Sequence, residues 1–269
     1  MTNRSLGRRE LLGIVGVAAL AAACGDAGSA PAAATSSKAP ATSSPLPTAS
    51  AGRPTKAAPS KSATPASAAD SGQDVSHGPT GSAAVALTFH GAGADSIARG
   101  ILAELGRASA HVTVFAVGSW LDGDPTVAKA FLDGGHELGN HTYHHKPMRS
   151  LGATEAKSEV ERCAAVLQRL TGTPGAWFRP SGTPSSTPTI RAAARAAGYP
   201  HCVTYNLDSL DYTDPGAAAV TRNVLSAVRG GDIVSLHLGH AGTVTALPAI
   251  LAGLAARSLR PVTVTQLLS

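Results

Sequence analysis

Residues 84–93 read AVALTFHGAG. The apolar run through Phe89 has the composition of a strand covered on both faces, as parallel strands are. It stops on His90 and three small residues, with no carboxylate before Asp95. Outward from this stretch the same pattern returns as VTVFAV at 112–117, HEL near 137, AWF near 177, HCVTY at 201–205, DIVSL at 232–236 and PVTVT at 261–265. Between these runs, Ala-rich segments predict helices over 95–109, 125–134, 154–171, 187–197, 216–229 and 244–258. Asp124 before Pro125 and Thr154 are the expected N-caps of two of them, and Gly198 ends a third. Strands alternating with helices predict an α/β fold of parallel strands, and seven strand candidates suggest a barrel-like layout.

The chain before this region is of a different kind. Residues 1–24 carry adjacent Arg8 and Arg9, an apolar run from Leu11 to Ala23 and then Cys24. That run is shorter than the roughly 20 apolar residues a membrane span needs, and it reads as an export signal. GRRELL resembles a twin-arginine signal, and AAAC resembles a lipobox whose cysteine, Cys24, receives the lipid. The expectation is an exported protein, lipid-anchored in the cell membrane and facing the cell wall or periplasm. Residues 25–80 are mostly Ala, Ser, Thr and Pro, with Leu46 and Val75 as the larger aliphatics. Such a stretch buries too little apolar surface to offset its ordering entropy, so it reads as a flexible tether leading to a domain at 81–269.

Charge divides between these regions. Residues 1–80 hold 7 basic and 4 acidic side chains, leaving 15 and 13 for residues 81–269. A domain with so small an excess gives no argument for a nucleic-acid partner. Cys163 and Cys202 could pair outside the cell, but Cys163 lies on an apolar helical stripe with Val160, Ala164, Leu167 and Leu170 and reads as core.

In parallel barrels the chemistry gathers after the carboxyl ends of strands. There the sequence places His90, NHTYHH at 140–145, FRPSG at 178–182, NLDSLD at 206–211 and His237. With GHELGNHTYHH as the most specific match, this order resembles the polysaccharide deacetylases, the NodB-homology group, across nearly all of residues 82–269. The resemblance implies a distorted (β/α) barrel of about seven parallel strands. It also implies a divalent metal, most often zinc, and removal of acetyl groups from a polysaccharide such as peptidoglycan or a chitin-like glycan.

Carried onto this chain, the resemblance makes His141 and His145 metal ligands, a pair whose spacing lets two imidazoles converge from a helical turn. Arg179 stands where the family's arginine orients the catalytic base, its alternative being a salt bridge at a strand end. Asp211 stands where an aspartate orients the late histidine, here His237, the expected proton donor to the leaving amine. Tyr212 replaces a usual tryptophan beside the substrate, and Ser235 replaces a leucine that lines the acetyl pocket. The family's first strand ends T-F-D-D-G, with a general base followed by a metal ligand; here His90 and Gly91 replace both aspartates. His90 is then either a third ligand or the base, Asp95 could reach back to the metal, or water could fill the position. Two other readings stay open: a deacetylase-like protein that binds glycan without hydrolysing it, and a metal-binding or structural protein on the same barrel.

Overall fold

The computed structural model describes residues 74–269. The export signal, Cys24 and most of the expected tether lie outside the described residues. Strands β1 (Ala84–Gly91), β2 (Thr113–Ala116), β3 (Glu137–Asn140), β4 (Leu207–Asp208), β5 (Ile233–His237) and β6 (Arg260–Val262) form one sheet. Around them run α1 (Asp95–Arg107), α2 (Gly118–Gly123), α3 (Pro125–Asp133), α4 (Ala153–Thr171), α5 (Pro188–Ala196), α6 (Ala217–Ala227), α7 (Ala241–Ala255) and α8 (Val264–Leu268). The sheet order is β3-β2-β1-β5-β4, all parallel, and β6 pairs with the first residues of β1. Single bridges, Asn140 to Phe178 and Phe178 to Cys202, carry the wall on from β3 to the chain that leads into β4. The result is the distorted parallel barrel expected. Among the described residues no helix is long and apolar enough to cross a membrane.

Strand parity decides what enters the barrel. Val85, Leu87 and Phe89 of β1 pack outward with Ile101, Leu105 and Leu247 of the helices, while Ala84 and Ala86 face inward with Phe115, Ile233 and Val264. Because side chains alternate along a strand, Thr88 and His90 also point inward. On the adjacent β5, Val234 and Leu236 pack outward and Ile233 inward, which sends Ser235 and His237 the same way. Thr88 pairs with Ser235 and His90 with His237, so two strands deliver four polar groups side by side.

The expected helices form within a few residues of their predicted limits. The Asp124 side chain accepts from Thr126 N as the cap of α3, and Gly198, at a φ of 92°, follows the end of α5. Thr154 is not a cap: α4 begins at Ala153 behind Gly152. Of the seven strand candidates, those near 177 and at 201–205 shrink to single bridges. The Arg179 side chain takes the carbonyls of Val203 and Thr204, and Pro180 offers no N–H to a ladder. PVTVT also splits: β6 ends at Val262 because Thr263 and Gln266 form a reciprocal capping box that starts α8.

Part of the stretch read as tether joins the wall. Val75 N donates to Cys202 O at 2.8 Å, Thr204 N donates to Val75 O at 2.8 Å, and Gly78 N donates to Gly231 O at 2.7 Å. Cys163 and Cys202 are buried free thiols, as the apolar stripe implied, and burial pushes their pKa values up to about 12 and about 11.

His136, just before β3, is buried and its Nδ1 has no hydrogen-bond partner among the described residues. Burial, with a smaller push from His111, lowers its pKa to about 4. Unfolding restores an ordinary value of about 6.5, so between these limits the unfolded chain binds the extra proton. Stability should therefore be whole above that window and fall by on the order of 3 kcal/mol as pH drops through it. Urea denaturation at about pH 4.5 and about pH 7 should show this slope, and His136→Leu should reduce it, leaving the share of the other buried histidines.

Candidate functional site

A cavity of about 310 Å³ opens at the carboxyl ends of the strands. Its wall includes His90, His141, His145, Arg179, Tyr205, Tyr212 and His237, so five of the residues singled out in the sequence for catalysis or metal binding share one cleft with Tyr212.

The loop after β3 is held in an unusual conformation. Thr142 and His145 have φ values of 67° and 59°, a left-handed region costly for any residue with a side chain and most of all for a β-branched one. His141 and His145 therefore converge through this strained loop rather than along a helical turn. Their ring centroids are 5.0 Å apart. What holds the loop is partly Glu159, buried on α4: its Oε2 accepts from Tyr143 N at 3.2 Å and His144 N at 2.7 Å, and its Oε1 lies 2.7 Å from His144 Nδ1. Thr142 Oγ1 donates to Ser181 Oγ at 2.9 Å, and Ser181 Oγ donates to Lys146 O at 2.6 Å.

Arg179 lies beneath the cleft, 1% exposed. Its Nη1 donates to Thr88 Oγ1 at 2.8 Å, Nη2 to Thr204 O at 2.8 Å and Nε to Val203 O at 3.2 Å. The guanidinium also lies over Phe115, 4.2 Å from the ring centroid. The salt bridge considered for it does not form: no carboxylate among the described residues lies within 4.0 Å of its nitrogens. The Arg179 carbonyl accepts from His141 Nδ1 at 2.9 Å, which leaves His141 Nε2 as a lone pair.

That lone pair faces His90 Nδ1 at 3.3 Å, while His90 Nε2 lies 2.9 Å from Ser235 Oγ. Two tautomers satisfy these contacts. Either His90 Nδ1–H donates to His141 and Ser235 donates to Nε2, or Nε2–H donates to Ser235 and two lone pairs converge, an arrangement that calls for a cation between them. Two nitrogens bonded at about 2.0–2.1 Å to one tetrahedral zinc stand about 3.3 Å apart, so the pair fits a shared metal. A third protein donor does not converge on that point: among the described residues no group of three or more His, Cys, Asp or Glu side chains is arranged to hold a metal ion. Burial, and after it the charges of neighbouring groups, hold the pKa values of His90 and His141 well below the usual histidine range. Burial and His237 lower that of His145. Neutral imidazole is the form that binds a metal.

Across the cleft, Asp211 is buried and fully engaged. Oδ1 accepts from His237 Nδ1 at 2.7 Å, and Oδ2 accepts from His237 N at 2.8 Å and Thr243 Oγ1 at 2.6 Å. Burial alone would raise the Asp211 pKa, but the hydrogen bonds from His237 and Thr243 bring it below the usual carboxylate value. The His237 ring lies 4.0 Å from that of His90, centroid to centroid, and 5.2 Å from that of the exposed Tyr212.

Two expected placements change. Asp95 does not reach the histidines; it is exposed in the first turn of α1 and bonds Arg99 at 2.7 Å. Ser235, expected against the acetyl group, is buried behind His90. Gly91 has a φ of 97°, a backbone conformation that disfavours a residue with a side chain. Tyr205 and Glu159 were not legible as site residues. Tyr205 stacks on His90 with centroids 6.3 Å apart, and its one sequence signal is its place just before NLDSLD.

A distorted parallel barrel with imidazoles and a buried Asp–His pair at its strand ends defines a hydrolase-type cleft. Residues 77–202 match the model of the polysaccharide deacetylase family. It is 29% identical over 188 residues to a peptidoglycan-N-acetylglucosamine deacetylase of Bacillus cereus, covering 68% of this chain and 87% of that one. A solved peptidoglycan N-acetylglucosamine deacetylase superposes with a TM-score of 0.67 at 26% identity, covering 72% of this chain and 91% of the other. A CE4-family pseudoenzyme from Bacillus anthracis gives 0.69 at 23% identity, covering 73% and 69%, a likeness of fold.

Glu159→Ala would strand the N–H groups of Tyr143 and His144 inside the loop. It should cost about 2–4 kcal/mol in chemical denaturation, and Glu159→Gln, which keeps an acceptor, should cost less.

Proposed function

We propose that this chain is a metal-dependent hydrolase that removes N-acetyl or O-acetyl groups from a cell-wall or related polysaccharide. The observation that carries the reading is the buried Asp211–His237 pair opening on the same cleft as His141, His145 and His90. The metal would draw its donors from the imidazoles of His141, His145 and His90, which line one cavity, and zinc is best suited to neutral imidazoles. When bound there, the metal polarises the acetyl carbonyl and lowers the pKa of water.

The chain's own residues then divide the remaining work. Both ring nitrogens of His90 are engaged, which favours the ligand role over the base role left open by the sequence. His237 donates its Nδ1–H to Asp211, so its Nε2 is free to take a proton from the attacking water and return it to the leaving amine. Asp211 fixes that tautomer and stabilises the imidazolium formed in between. Tyr212, at the exposed rim, offers a ring face to a sugar. Outside the described residues, the reading retains export, a lipid on Cys24 and a tether that lets the domain reach the wall.

The second reading, a glycan binder without hydrolysis, draws on His90 and Gly91 standing where the family pattern has its two aspartates. Acetate release from N-acetylglucosamine oligomers with added zinc separates the two. Hydrolysis lost on chelation and lowered roughly 100- to 10,000-fold in kcat by His237→Ala is the expected result. Glycan binding with no acetate released would overturn the hydrolase reading in favour of the binder.

A further inference from the structure

The end of the barrel opposite the cleft carries a larger cavity, of about 810 Å³. It lies where strands start and helices stop, between Ala84 of β1, Arg260 of β6, Ser109 behind α1 and Ser258 behind α7. His111, Arg260 and Gln266 supply the longer polar side chains of its wall, and no Asp or Glu among the described residues lines it. Arg257 adjoins Ser258 and is exposed, as are Arg260 and His111. Exposed Arg229 belongs to the same end, because the next residue, Gly230, packs against Ser82 and against Leu259 of the cavity wall.

Arginine at a helix end often does no more than offset the helix dipole. Arg107 does so in the last turn of α1, where it also pairs with Glu104. The other three arginines stand outside helices: Arg229 follows α6, Arg257 follows α7, whose last turn holds no basic residue, and Arg260 opens β6. None of the three pairs with a carboxylate among the described residues. Carboxylates at this end are engaged elsewhere: Glu137 by Thr113 and Thr265, Asp232 by Asn206 and the Arg229 N–H, and Asp133 by Lys129. Fixed positive charge is therefore left uncompensated around one open cavity.

The chain also enters the domain at this end. Val75 bridges to Val203, Gly78 N donates to Gly231 O just before β5, and Gly78 packs against Leu267 of α8 before β1 begins. Residues 25–73, read above as a tether, thus attach at the basic face and not at the cleft.

We propose that this basic face docks on the anionic phosphate headgroups of the membrane, leaving the cleft open to the wall. The membrane as occupant rests on the lipid-anchored reading above; the basic face does not. Each arginine near an anionic lipid surface adds only a weak attraction, and a tether turns that attraction into an intramolecular contact at high effective concentration. Docking is reversible for the same reason, so the domain can leave the surface to reach glycan. What the contact fixes is orientation: with the amino-terminal ends of the strands on the membrane, their carboxyl ends and the cleft face outward.

The test uses the full chain with Cys24→Ser, which takes no lipid, and vesicles of phosphatidylcholine alone or mixed equally with phosphatidylglycerol. An environment-sensitive fluorophore sits on the basic face through Ala256→Cys, or at the cleft end through Ser96→Cys in the first turn of α1; Cys163 and Cys202 are buried. Phosphatidylglycerol vesicles should shift the emission of the probe at 256 and leave that at 96 unchanged, a contrast that leader binding alone does not produce. Arg257→Gln combined with Arg260→Gln should weaken the response about tenfold, and salt at about 0.5 M should abolish it. Equal responses at 256 and 96, or a response unchanged in the double variant, would overturn the docking face and leave export and anchoring standing. Inorganic phosphate that displaces the vesicles where chloride of equal ionic strength does not would overturn the membrane as occupant in favour of free phosphate. Cys24 found without lipid in the exported protein would overturn the anchored reading, while the basic face kept its measured affinity.

Discussion

The Arg179 guanidinium ties the barrel and the cleft together. Its side chain binds Thr88 of β1 and the carbonyls of residues 203 and 204, its N–H donates to Asn140 O at the end of β3, and its carbonyl orients His141. Regular pairing is thinnest here, where single bridges replace strands. One side chain thus substitutes for part of a backbone ladder and sets the direction of a proposed metal ligand. Loss of such a residue would open the wall and misplace the imidazole together, so its structural and chemical roles cannot be separated by simple truncation.

Imidazole rather than carboxylate at residue 90 shapes the electrostatics of the cleft, which no Asp or Glu among the described residues lines. A carboxylate there would bring negative charge to a metal; imidazole does not, although it remains a good donor. Ser235 is the partner of that imidazole. In the strand register Ser235 lies opposite Thr88, one strand over, and its hydroxyl reaches His90 Nε2, a contact a leucine could not make. His90 and Ser235 are one hydrogen-bonded unit.

Much of the architecture was legible because its signals are local. Periodicity and caps located the helices, and Asp124 with Pro125 marked the start of α3. The Thr263 to Gln266 box was equally local, yet β-branched residues at 261–265 masked it. The runs near 177 and at 201–205 are extended, but their carbonyls go to an arginine side chain, a tertiary choice that propensity does not contain. The motif around 140–145 drew attention to His141 and His145, whereas Glu159 holds their loop from a helix and carries no motif. Strand parity and register brought Ser235 to His90, a pairing visible only once β1 and β5 are aligned.

Imidazoles at the strand ends are proposed to hold the metal on which hydrolysis depends. Equilibrium dialysis of the chain against zinc, alongside His141→Ala, tests it most directly. The account predicts about one zinc per chain, with affinity lowered at least about tenfold in the variant. No zinc retained by the chain, or retention unchanged in His141→Ala, would contradict it.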